Sequence, residues 1–178
     1  MRISTDRTGR SECRAVQHIH TVAEQAKRLV EREMRARLCD PLTITVTDTR
    51  GVWALAERAE RESVGLPSTL GQVLLGYLHR PAKPVFGRAS VSGEGLLLLV
   101  NAEAHKDDLA EVNVTLVHEL VHAVQLSAPG ARAVRQAQIR SNYGIERFSR
   151  REAEAANRAI DRDEEQARSL ERLAAQLA

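Results

Sequence analysis

Residues 112–126 read VNVTLVHELVHAVQL, and the fold turns on this stretch. Val114, Leu116, Val117, Leu120, Val121, Val124 and Leu126 would make an α-helix apolar nearly all round, and such a helix has to be covered on almost every side. Within it stand His118, Glu119 and His122, the pattern H-E-x-x-H. Side chains four residues apart lie one above the other on a helix, so two imidazoles can offer themselves to one ion. Glu119 points about a quarter-turn away, toward a water rather than toward the metal. An unpaired buried charge costs on the order of several kcal/mol, so these three groups need partners. Either a zinc ion supplies them, or the histidines are core residues bonded to carbonyls beside a salt-bridged Glu119.

Moving outward, the flanking sequence supplies the elements that cover the helix. Residues 11–38 carry Val16, Ile19, Ala23, Ala26, Leu29, Val30 and Met34 at helical intervals, with Pro41 marking the end. Leu42 to Asp48, LTITVTD, alternates apolar and polar residues with β-branched side chains, as a strand does. Gly51 to Glu62 reads as a helix broken by Gly65-Leu66-Pro67, and residues 68–84 are ambiguous between states. RASVS, the turn residues Gly93-Glu94-Gly95 and LLLLVN form a β-hairpin whose second arm is apolar enough to be covered on both faces. Asp107 or Asp108 can cap the H-E-x-x-H helix, and Asp108 with Glu111 has capping-box spacing. Pro129-Gly130 closes that helix. The remaining third is helical and charged, interrupted near Ser141 to Gly144, with a last helix from about Ser149 to Ala178. The expectation is one α+β domain over residues 1–178. It comprises an N-terminal helix (1–40), a small mixed sheet with the metal-binding helix (41–128), and a helical C-terminal region (129–178).

Composition narrows the function. A net charge of +2 is too small to argue for a nucleic-acid partner, although the pI is about 8.8. Aromatics at 3% are too few for a base-stacking platform. Cys13 and Cys39 form no C-x-x-C pair and lie far in sequence from the histidines, which disfavours a zinc knuckle or redox pair. The N-terminus has no apolar stretch after its charges and no run suits a membrane span, so a cytoplasmic protein without a membrane partner is expected.

A catalytic zinc takes three protein ligands and leaves a fourth position open. No histidine follows His122. Gln125 and Ala128 stand where an HExxHxxGxxH pattern has its glycine and last ligand. His18, His20, His79 and His105 lie upstream, and surface or core roles suit them better. The downstream carboxylates are Glu146, Glu152, Glu154 and Asp161. On a helix starting near Ser149, Ala155, Ala156, Ala159 and Ile160 cluster around the direction of Glu152, whereas Glu154 falls opposite. Glu152 is therefore the first candidate for third ligand and Glu154 the second.

H-E-x-x-H followed a few dozen residues later by a helical glutamate resembles the gluzincin branch of zinc metallopeptidases. REAEAAN, Arg151 to Asn157, is similar to the E-x-E-A-N/D segment of ImmA/IrrE-type peptidases. The likeness covers roughly Leu96 to Asp161. It departs at Ala156, which takes the Asn/Asp position one residue before Asn157. The resemblance implies a zincin-like fold, Zn2+ as cofactor, His118, His122 and Glu152 as its ligands, and Glu119 as general base of peptide hydrolysis. Tyr143, Arg147 or His105 would supply a second electrophile, with Tyr143 preferred. It also implies a protein or peptide substrate, extended along the hairpin strand between Ser90 and Val100. The alternative is an inactive zincin-fold scaffold that serves as a protein-interaction module.

Overall fold

The computed structural model describes residues 1–9, 13–67, 69, 71, 85–106 and 108–177. Asp107, His79 and most of the ambiguous stretch 68–84 therefore lie outside the described residues. The elements run β1 (Arg2–Thr5), α1 (Cys13–Met34), β2 (Leu42–Thr47), α2 (Thr49–Ser63), β3 (Gly87–Ser92) and β4 (Gly95–Asn101). They continue with the single turn α3 (Ala102–His105), α4 (Leu109–Leu126), α5 (Ala131–Asn142), α6 (Arg150–Leu170) and a C-terminal 3-10 helix (Glu171–Gln176). This is an α+β protein with a small mixed sheet. No described helix is long and apolar enough to cross a membrane.

The sheet has the order β1-β2-β4-β3, with the first three strands parallel and β3 antiparallel to β4 at the edge. Successive side chains of a strand point to opposite faces, and β4 uses both. Leu96, Leu98 and Val100 join the main core with α1 and α4, while Leu99 packs with Val52 and Ala56 of α2 on the other face. The continuous apolar run LLLLVN is what a strand covered by helices on both sides needs.

Two features differ from the sequence expectation. Residues 1–40 are not helix alone, because Arg2–Thr5 pairs with Thr43–Val46 as an added parallel strand. With Ile3 as its one large apolar residue, and only partly buried, β1 carries no alternation of its own and exists by pairing with β2. Helix α1 also stops well before Pro41. Arg35 takes a left-handed φ of 50°, and the Ala36 amide bonds back to the Glu31 carbonyl, a helix-ending motif set by the backbone.

Helix α4 packs against β3 and β4, and also against α1 and the C-terminal elements. Asp108 caps it by accepting from the Ala110 and Glu111 amides. Val112, Leu116, Val117, Leu120 and Val121 are buried against this surround. Gly87 permits the closest approach of β3. A Cβ there would lie 2.7 Å from both Thr115 Cγ2 and Glu119 Cγ.

Candidate metal centre

His118 and His122 sit on the side of α4 that faces α6, and each ring is held at Nδ1. His118 Nδ1 lies 2.8 Å from Glu171 Oε1, and His122 Nδ1 lies 2.8 Å from Gln125 Oε1. The Gln125 amide is oriented in turn, since its Nε2 donates to the Asp163 carbonyl at 3.1 Å and to Gln166 Oε1 at 2.9 Å. With acceptors at both Nδ1 positions, the bonding network places a proton on each Nδ1, so that a neutral ring carries its lone pair on Nε2. Those Nε2 atoms face each other at 3.1 Å.

Glu164 of α6 closes the group. Its carboxylate oxygens lie 3.3 Å from His122 Nε2 and 3.7 Å from His118 Nε2. Among the described residues this trio is the set of His, Cys, Asp and Glu groups placed to share a metal. The donor set fits zinc. Two nitrogens and an oxygen bound at roughly 2.0–2.2 Å would stand about 3.3–3.5 Å apart on a tetrahedron, close to the separations observed. With both rings neutral and protonated at Nδ1, two nitrogen lone pairs and a carboxylate would converge here, an arrangement that favours a cation. Burial holds His122 below the usual imidazole value, with the Gln125 bond opposing and the neighbouring His118 adding to the effect. A neutral imidazole is the form that ligates.

Glu119 lies one residue past His118 and turns toward β3. It is 7% exposed. Its carboxylate accepts from the Ala89 amide, and the Gly87 backbone passes against it. Burial first, and the charge of Glu164 second, push its carboxyl up to about 8, against the pull of the Ala89 amide and Arg88. A carboxyl so placed has an enhanced affinity for a proton.

Two clefts meet at this point. One, of about 280 Å³, is bounded by Phe86, Val114, Glu111 and Glu171; the other, of about 620 Å³, by Leu126, Val134, Ile160 and Asp163. His118, Glu119 and Gly87 line both. The site is thus the middle of a longer groove beside the edge strand.

The structure brings together His118, Glu119 and His122 and does not bring Glu152 to them. Glu152 is exposed at the third position of α6, where it accepts from the Ser149 amide while Ser149 Oγ accepts from its own, a reciprocal capping box. Those bonds lower its carboxyl below the ordinary value, the Ser149 hydroxyl bond first. Glu154 is paired with Arg150 at 2.9 Å, and Glu146 with Arg140 at 3.2 Å. Asp161 is exposed. His18 Nε2 lies 2.6 Å from Asn113 Oδ1, bracing α1 against α4, and His20 is exposed.

Tyr143 is likewise elsewhere. It caps α5 under Arg61, 5.3 Å from the guanidinium, and burial followed by Glu57 and Glu60 raises its hydroxyl. His105 is buried against Phe86, with ring centroids 5.3 Å apart, and lines neither cleft.

Sequence reasoning missed Glu164, Glu171, Gln125 and Gly87. It took Ala155 to Ile160 as the inward stripe of α6, but these residues are exposed or only partly buried, and the buried positions are Ala167 and Leu170. The signals were present: Ser149 and Glu152 have capping-box spacing, and Ala167, Leu170, Leu173, Ala174 and Leu177 are the stripe that seats the segment. No family model, curated protein or solved structure matches the chain.

Proposed function

We propose that the chain is a zinc-dependent metallopeptidase, with His118, His122 and Glu164 holding the ion and Glu119 acting as general base. The observation that carries this reading is the convergence of the His118 and His122 Nε2 atoms and the Glu164 carboxylate beside the buried Glu119. Zinc bound to such a set supplies Lewis acidity, acidifying a water and polarising a carbonyl. The chain's own residues do the rest. Glu119 takes the proton of the attacking water on a carboxylate oxygen and later passes it to the leaving nitrogen. Ala89 holds that carboxylate by its amide, and the close backbone at Gly87 keeps bulk water from surrounding it. Glu171 and Gln125 hold the two rings at Nδ1, so that both Nε2 atoms face Glu164, where they would hold the ion.

The groove favours an extended, apolar stretch of polypeptide. Asn101 donates to the Phe86 carbonyl at 2.8 Å, so by antiparallel alternation Phe86, Arg88, Ser90 and Ser92 bond toward β4. Gly87, Ala89 and Val91 then turn their backbone groups away from β4; the Ala89 amide is taken by Glu119, and the remaining groups are where a strand-like substrate finds partners. Of the six exposed large hydrophobic side chains among the described residues, Phe86 and Val114 line one cleft and Val134 and Ile160 the other. Apolar contacts therefore wait on both sides of the reacting bond. The motif-level likeness to gluzincin peptidases points the same way.

Two measurements test the proposal. The purified chain should take up about one zinc ion at neutral pH, and it should hydrolyse an unfolded protein only when zinc is present. Glu119→Gln should keep the zinc and lose turnover by at least about 100-fold, the usual range for a general base. Zinc uptake without any Glu119-dependent hydrolysis would favour the non-catalytic scaffold, and no zinc uptake would remove the metal centre itself.

A further inference from the structure

Every group that completes or orients the histidine pair from outside α4 comes from one short run of chain, Asp163 to Glu171. Glu164 faces both Nε2 atoms, Glu171 accepts at His118 Nδ1, and Gln166 together with the Asp163 carbonyl holds the amide of Gln125. Glu164 and Glu171 are seven residues apart, nearly two helical turns, so they stand on one stripe with Ala167 between them. That stripe is seated by apolar burial at Ala167, Leu170, Leu173, Ala174 and Leu177. Asn113 Nδ2 also donates to the Leu177 carbonyl at 3.2 Å.

We propose that Glu171 and Gln166 are positioning residues that hold both imidazoles with their protons on Nδ1, so that the C-terminal segment sets the metal affinity as well as contributing a ligand. The inference rests on the zinc centre proposed above. The chemistry is local. Glu171 accepts from His118 Nδ1–H, which fixes the ring and makes Nε2 a better donor to metal. Gln166 acts at one remove. It engages the Gln125 NH2 group, and this turns the Gln125 oxygen toward His122. Without Gln166 the Gln125 amide is held by the Asp163 carbonyl alone, and the fraction that turns over presents its NH2 to Nδ1, which favours the tautomer with a proton on Nε2, the form that cannot ligate there. The apolar seat of the segment is independent of these contacts, so the site is oriented before metal arrives.

The test is competitive zinc titration of the full chain against a chromophoric chelator at neutral pH, with wild type, Glu171→Ala, Glu171→Gln and Gln166→Ala. Glu171→Ala should weaken zinc binding by about 10- to 100-fold, and Gln166→Ala by about 10-fold, the range for loss of an outer partner of a metal-bound histidine. Glu171→Gln keeps an acceptor oxygen and should recover most of the loss. In nitrogen NMR of the zinc-loaded wild type, both histidines should show protonated Nδ1. Glu171→Ala binding as tightly as wild type would overturn the proposal, as would Glu171→Gln binding as weakly as Glu171→Ala. If Glu171→Ala fails to fold, the exposed Gln166 decides, and a Gln166→Ala chain with wild-type affinity also overturns it. Wild type that takes no zinc would refute the metal centre along with this inference, whereas tight wild-type binding with unaffected variants would refute the positioning role alone.

Discussion

Helices α4 and α6 both carry candidate ligands, yet the molecule holds them in different ways. Helix α4 is packed on one side by the sheet, on another by α1 and on a third by the C-terminal elements. Its histidine side chains are only 19% and 17% exposed. Helix α6 leaves the body over most of its length, with Arg150 to Ala155 exposed and Ala167 and Leu170 as its buried residues. A fully buried leucine contributes about 1.5–3 kcal/mol, so the seat of α6 rests on a few side chains at its end and in the following 3-10 helix. One half of the centre is therefore built into the core. The other half is presented by a helix held at one end, and the candidate ligand Glu164 lies close to where that helix is anchored.

This contrast is open to being broken. The largest effects belong to the ligands themselves. His122→Ala should reduce zinc affinity by more than the roughly 10–100-fold expected for an outer partner, and Glu164→Ala should do the same. Glu152→Ala, on the free end of the same helix, should leave affinity unchanged in the same chelator titration. If Glu152→Ala weakened zinc binding while Glu164→Ala did not, α6 would be seated in a different register.

A smaller effect reports on how deeply α4 is buried. Glu119 has its carboxyl raised from 4.5 to about 8 in the folded chain. Between those values the unfolded chain gives up the proton while the folded chain keeps it, so metal-free stability falls as pH rises through that window. Glu119→Gln removes the dependence. It should stabilise the metal-free protein by up to about 3 kcal/mol at neutral pH and by almost nothing below the ordinary carboxylate value. Denaturant unfolding at two pH values checks this, and equal gains at both would show that Glu119 is better solvated than its position implies. The smallest effect is at the cap. Glu152→Ala removes one half of the Ser149 capping box and should lower stability only slightly, read as lost helicity at the start of α6.

Particular residues show where local pattern was sufficient. The alternation of Leu42 to Thr47, the Gly93-Glu94 turn followed by LLLLVN, and the apolar surround of His118 each carry their own periodicity, and each corresponds to an element in the structure. Asp108 caps α4 by the expected side-chain bonds, while the reciprocal arrangement occurs at Ser149 and Glu152. That second box placed Glu152 among residues that serve the helix end. Strand β1 was not legible, because four residues with one large apolar side chain become a strand only when β2 offers them partners. Glu164 was not singled out because acids and arginines recur along α6, and most of them face water.

Sequence alone determined that His118, Glu119 and His122 share one buried helix, because a spacing of four residues fixes direction along a helix and the apolar neighbours fix depth. It also determined the hairpin and the alternation of covered strands. Only the tertiary structure decided which carboxylate stands opposite the histidines and which groups hold their Nδ1 atoms. Apart from Gln125, which is on the same helix as His122, those contacts join residues about forty to fifty positions apart in the chain. They depend on where α6 is anchored, and that is set by the apolar residues at its end.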